Sequence, residues 1–216
     1  MKERIPAGAA ARFVAAAREV AAQGLIACNS GNLSWRVAAD RFLVTATRSW
    51  LGELTPAQVA LCRLSDGTVL NGVKPSVEAG FHAGVLRARP DISAVLHTQS
   101  PCATACACRR DAARLDFNVV TEVPYYIGPV AVVPPLMPGS APLARAVVAA
   151  MRGHDVALLR NHGQVTVGRD PRDAMQRARF FELACFILVA NGARCSRLPP
   201  ALVRGLRAAA RGQGAA

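Results

Sequence analysis

Lysine is almost missing from this chain. Of its 26 basic residues only Lys2 and Lys74 are lysines. A Schiff-base mechanism needs a lysine amine in a desolvated pocket, and the one lysine near other reactive residues, Lys74, sits in a loop before Pro75. Amine catalysis is therefore disfavoured. Long apolar runs are missing too: Arg, Pro or Gly breaks every Ala/Val-rich stretch well before the roughly 18 residues a membrane span requires. The opening MKERIPAGAAARFVAAAREV carries charges where a secretion signal would be apolar. The expectation is a soluble, cytoplasmic protein. No CxxC pair exists among the seven cysteines, which excludes a zinc ribbon or a thioredoxin-like site. Cys102, Cys106 and Cys108 read instead as free thiols behaving as small hydrophobes. Aromatics make up 5% of the chain, with no aromatic-rich basic strand and no paired Cys/His spacing for a nucleic-acid module. The net charge of +12 and pI near 10.6 come from dispersed arginines and a basic tail, so neither nucleic acid nor membrane is an expected partner.

What is present suits one globular domain. The 216 residues are 52% apolar and 19% charged, enough to bury a core. Helical spacing of Phe13, Val14, Ala17 and Val20 predicts a helix over 6–23 closed by Gly24. Strands are expected at 33–37 and 41–47, and Thr55-Pro56-Ala57-Gln58 has the form of a capping box. Ser65-Asp66-Gly67 reads as a hairpin turn between 62–64 and 68–70. The second half alternates helices at 75–89, 102–110, 140–152 and from Asp170-Pro171 to Asn191-Gly192 with strands at 92–97, 130–133, 156–159 and 165–167. Hairpins and crossovers together predict one α/β domain on a mixed sheet over residues 1–200, followed by a basic C-terminal tail, 201–216, after Leu198-Pro199-Pro200.

Chemistry concentrates at a few places. His97 ends an apolar strand, where α/β proteins bind ligands, and strand geometry puts Gln99 on the same face as an adjacent ligand. His162 occupies the tight turn Asn161-His162-Gly163 between two apolar strands. Two such imidazoles suit Zn2+ or another borderline divalent ion. Glu78 opens a helix, a place that the helix dipole favours for a carboxylate. It is also a candidate general base or further ligand. His82, one turn on, reads as a packing or hydrogen-bonding group, and His154 as a surface residue. Asn29-Ser30-Gly31-Asn32 before a strand is either an anion-binding turn or an ordinary one.

Taken in order, Ser30-Gly31-Asn32-Leu33-Ser34, Val44-Thr45-Ala46-Thr47, Lys74-Pro75-Ser76-Val77-Glu78 with His82, Arg89-Pro90-Asp91, His97-Thr98-Gln99-Ser100 and Asn161-His162-Gly163 resemble the class II aldolase/adducin family over about residues 10–190. The resemblance implies a single three-layer α/β/α domain with a mainly antiparallel mixed sheet. It implies a divalent ion, Zn2+ or an alternative such as Mn2+ or Co2+, at His97, the Gln99 position and His162, with Glu78 as acid/base. It assigns phosphate to Gly31-Asn32, Thr47-Arg48 and Ser76. The implied activity is aldol cleavage of a small phosphorylated ketose, or a related hydroxy-carbonyl compound or hydroxy acid, through a metal-stabilised enediolate. Epimerisation, dehydration and decarboxylation are alternatives at the same site. A homotetramer with active sites between subunits is implied as well. This sequence departs from the family pattern in three places: Gln99 where a second histidine is usual, Arg48 where glycine is common, and Val77 where serine is common. The first departure leaves a non-catalytic, adducin-like assembly module as a further alternative. Tyr125 and Tyr126 are proton-donor candidates by chemistry alone.

Overall fold

The computed structural model describes residues 2–213. Seven strands form one sheet: β1 (Gly31–Ala38), β2 (Arg41–Thr45), β3 (Val59–Arg63), β4 (Ala94–Thr98), β5 (Val130–Val133), β6 (Val156–Leu159) and β7 (Gly163–Gly168). Their spatial order is β3-β2-β1-β4-β7-β6-β5. Every neighbouring pair is antiparallel except β5 with β6. The parallel pair needs a crossover, and helix α4 (Ala141–Met151) provides it.

Alternation along the strands sends side chains to two cores. Phe42, Val44, Val95 and Val165 face α2 (Ala79–Ala88) and α4. Leu33, Leu43, Leu61 and Leu96 face α1 (Ala9–Ala22) and the first part of α5 (Pro171–Asn191). A third cluster joins α3 (Pro101–Ala107), the rest of α5 and the other face of β6 through Phe117, Phe181 and Leu158. The result is the expected three-layer α/β/α domain. Ser140 caps α4 by accepting from the Leu143 N–H, and Asp170 caps α5 by accepting from the Asp173 N–H. The capping box at Thr55 closes only a short 3-10 turn.

Two expectations shift. Helix α2 begins at Ala79, not Pro75, because Pro75 bridges to Ala46 and the Ser76 N–H donates to the Thr45 carbonyl. The segment after Pro200, read as a low-complexity tail, folds as helix α6 (Pro200–Gln213), which lies against the wide helical turn Val123–Ile127. Its last three residues, 214–216, lie outside the described residues. Among the described residues no helix is long and apolar enough to cross a membrane.

At Gly168 the chain leaves β7 for α5 so tightly that an added Cβ would lie 2.3 Å from the Ala174 nitrogen and 2.8 Å from the Asp170 carbonyl oxygen. Gly168→Ala is expected to lower stability by about 1–3 kcal/mol through forced backbone shifts, read as a lower urea midpoint with an unchanged slope.

Candidate active site

One end of the sheet gathers the chemistry. Strands β2, β4, β5 and β6 finish there while β1 and β7 begin, and the connections between them enclose a cavity of about 520 Å³. All nine residues expected at the site line it: Gly31, Asn32, Thr47, Arg48, Ser76, Glu78, His97, Gln99 and His162.

His97, the fourth residue of β4, is 1% exposed. Its Nδ1–H donates to the Gln164 carbonyl at 2.8 Å, which leaves Nε2 as a bare acceptor with no partner. His162 follows Asn161, which holds a left-handed φ of 56°. That turn brings the His162 ring edge-on to His97, with centroids 4.7 Å apart. Glu78 stands at the residue before the first turn of α2 and is buried. Its Oε2 lies 3.6 Å from His97 Nε2, and its Oε1 lies 3.7 Å from His162 Nε2. One ligand atom from each of these three residues falls within 4.8 Å of the others. Burial, and secondarily the nearby His97, pushes the His162 pKa below its ordinary value, so the imidazole is neutral and able to bind metal. Two imidazoles and a carboxyl group, with Glu78 Oε1 and His97 Nε2 buried and unpartnered, fit a borderline divalent cation. Gln99 reaches the same space because position 163 is glycine; a Cβ there would lie 3.2 Å from the Gln99 Cγ.

The anion-binding candidates line the same cavity. Arg48 adopts φ 61°, the left-handed backbone that favours glycine, and is one of the residues that line the cavity. Ser76 Oγ accepts from the Glu78 N–H at 3.2 Å. The Asn32 side chain is held from within the protein. Its side-chain Nδ2 donates to Glu78 Oε2 at 2.9 Å and its Oδ1 meets His82 Nε2, so both ends of the amide are engaged within the protein.

Sequence reasoning passed over Arg160, which lines the cavity next to Asn161 and has a buried, unpartnered Nε. Its position immediately before the Asn-His-Gly turn was the available signal. Tyr125 and Tyr126 lie elsewhere, beside Arg177, Arg207 and Arg211, and line no part of this cavity. His82 is fully buried and hydrogen-bonded, in keeping with its expected role. His154 is half-buried, with its Nδ1–H donating to the Ala150 carbonyl.

Comparison with known proteins follows the same outline. The family described as Class II Aldolase and Adducin N-terminal domain matches residues 11–189. A 3-oxo-tetronate 4-phosphate decarboxylase of Haemophilus influenzae is 34% identical over 74% of this chain and 77% of its own length. A 5-methylthioribulose-1-phosphate/5-deoxyribulose-1-phosphate aldolase of Rhodospirillum rubrum is 34% identical over 77% and 73%. The crystal structure of an L-fuculose-1-phosphate aldolase from Thermus thermophilus superimposes with a TM-score of 0.72 at 28% identity, covering 83% of this chain and 92% of that one.

Burial holds the His82 pKa down at about 3, with His97 adding to the effect. A histidine depressed in the fold contributes stability that is complete above its unfolded pKa of about 6.5 and is lost as pH falls toward the folded value, at up to about 1.4 kcal/mol per pH unit. Urea titrations of metal-free protein between about pH 6.5 and 4 should therefore show falling stability. His82→Gln should flatten that slope.

Proposed function

Because the chain belongs to the class II aldolase and adducin family, we propose that it is a divalent-metal-dependent lyase acting on a small phosphorylated hydroxy-carbonyl compound, with aldol cleavage as the first reading. The observation that carries the proposal is the convergence of bare His97 Nε2, His162 and Glu78 Oε1 on one cavity. His97 and His162 would hold the ion, with Gln99 as a weaker oxygen ligand. Zn2+ leads, with Mn2+ and Co2+ as alternatives. When bound, the ion supplies Lewis-acid stabilisation of negative charge developing on a carbonyl oxygen. Glu78 carries the proton. Its free Oε1 delivers one to the carbon next to the carbonyl after the C–C bond breaks, or removes it in the reverse direction. The cavity walls at Gly31, Thr47, Arg48 and Ser76 would seat the phosphate, whose charge the Arg48 guanidinium complements.

Decarboxylation of a keto-acid phosphate is the second reading, and Arg160 favours it. An arginine with an unpartnered, buried Nε in the same cavity as Arg48 offers a second anion its own cation. Among the described residues Glu78 is the only acid lining the cavity, so a substrate carrying both phosphate and carboxylate matches its charge. Loss of CO2 would leave the same electron pair for Glu78 to protonate. The two lyase reactions therefore share their machinery and differ in the group beside Arg160.

A homotetramer with sites between subunits is part of the proposal. Its support is the exposed apolar row Leu183, Phe186 and Val189 on α5, with Tyr126 nearby against Phe180. Residues 1–200 are proposed as the catalytic unit and the segment after them as an addition to it, active in the cytoplasm.

Purified without chelator or histidine tag, the protein should contain about one divalent ion per chain by mass spectrometry. His97→Ala should lose it, and Gln99→His should tighten it. An ion absent from wild type, restored only by Gln99→His, would instead mark an assembly module without chemistry. Arg160→Gln should lower turnover of a keto-acid phosphate by about tenfold or more while sparing a ketose phosphate; equal effects on both would remove the second reading.

A further inference from the structure

Glu78 does not hold its position alone. Asn32 Nδ2 donates to its Oε2, so only Asn32 Oδ1 remains to meet His82 Nε2. An amide oxygen can only accept, and the hydrogen therefore resides on His82 Nε2. His82 Nδ1 then accepts, and its partner is the Ser34 hydroxyl at 2.7 Å. Every member of this chain is buried: Ser34 and His82 are 0% exposed, Asn32 6% and Glu78 5%. His82 is clamped further by face-to-face stacking on Phe81, centroids 4.6 Å apart. The hydrogen bonds run in one direction, Ser34 to His82 to Asn32 to Glu78, and end on one carboxylate oxygen. The other oxygen, Oε1, has no hydrogen-bond partner and faces His162.

We infer that Asn32 and His82 are positioning residues that make the two oxygens of Glu78 unequal. Asn32 occupies Oε2, so that Oε1 is the one presented to the reacting carbon. The inference rests on Glu78 being the proton carrier and adds what holds it in place. It also gives Asn32 a role other than contacting phosphate. A neutral histidine suits the network because it donates along the chain without adding charge beside the carboxylate. Truncating either residue frees the carboxylate to rotate and divides its population between geometries, which slows proton transfer without removing a substrate contact.

Two measurements decide it, and they fail separately. The first needs no activity. In nitrogen–proton correlation spectra of the metal-free full chain, the four imidazoles are assigned from single His→Gln variants. His82 should carry its hydrogen on Nε2, whereas His97 and His154, which donate from Nδ1 to carbonyls, should carry theirs on Nδ1. A His82 hydrogen on Nδ1 overturns the inference. The second follows exchange of the carbon-bound hydrogens of dihydroxyacetone phosphate with D2O on the zinc-loaded protein. Asn32→Asp keeps the shape but replaces the donor with an acceptor, and His82→Phe removes the imidazole. Each should slow exchange by about tenfold to a hundredfold, with KM within about twofold and bound zinc unchanged. His82→Gln, which retains a donor, should recover much of the rate. Variants that exchange as fast as wild type overturn the inference, as does a loss that tracks zinc content or the thermal midpoint. A zinc-loaded wild type with no exchange counts against the proposed reaction on this compound, and the tautomer of His82 then decides the positioning claim by itself.

Discussion

The site depends on the register between β1 and β4. Asn32 lies directly opposite His97, and Ser34 opposite Val95, while His97 is also opposite Val165 on β7. Side chains alternate along a strand, so this register turns Asn32, Ser34 and His97 toward the layer that contains α2. That helix supplies Glu78 at its start and His82 one turn later. A slip of one residue would send His97 to the α1 side and leave Glu78 facing an apolar strand. Two glycines hold β4 in place. A Cβ at Gly31 would lie 2.8 Å from the His97 carbonyl oxygen, and one at Gly163 would lie 2.4 Å from that of Thr98. The neighbouring backbones approach closely because neither position has a side chain.

Polar groups in so dry an interior are costly unless bonded, and two networks bond them. One runs from Ser34 through His82 and Asn32 to Glu78. The other starts at buried Glu182 on α5, which accepts from Ser100 Oγ at 2.6 Å and from the Cys102 and Ala103 N–H groups at the start of α3. Gln164 Nε2 donates to Ser100 Oγ, and the Gln164 carbonyl orients His97. The carboxylate and the first imidazole are thus held from opposite layers of the fold. Glu78 Oε1, His97 Nε2 and His162 Nδ1 remain unsatisfied at the cavity, a local cost borne where a ligand would relieve it.

Much of this was legible in the sequence. Strands β5 and β6 fall on the expected residues, because each is a short apolar run bounded by breakers, and Ser140 and Asp170 announce their helices through ordinary capping chemistry. The residues expected at the site line one cavity, since strand ends and tight turns carry His97 and His162 wherever the sheet places them. Less legible was the start of α2, where pairing to β2 overrides helical spacing at Pro75 and Ser76. Low complexity likewise concealed α6, whose apolar side is defined only by what it packs against.

By itself the sequence determined the types of element, one α/β domain on a mixed sheet and the residue kinds available for chemistry, because those follow from local periodicity, caps and turns; the three-layer arrangement came from the family resemblance. Arg48 illustrates the limit. Its place in a motif is local information, but the left-handed backbone that makes glycine natural there is visible only in the folded turn. Tertiary structure alone decided which nitrogen of His97 is bare, which oxygen of Glu78 is tied, and that the Asn32 amide faces inward. Those facts depend on contacts between residues 46 and 50 positions apart (Asn32 with Glu78 and with His82) and 67 apart (His97 with Gln164). No short-range pattern encodes them, since a hydrogen bond's direction is set only when both partners are in place.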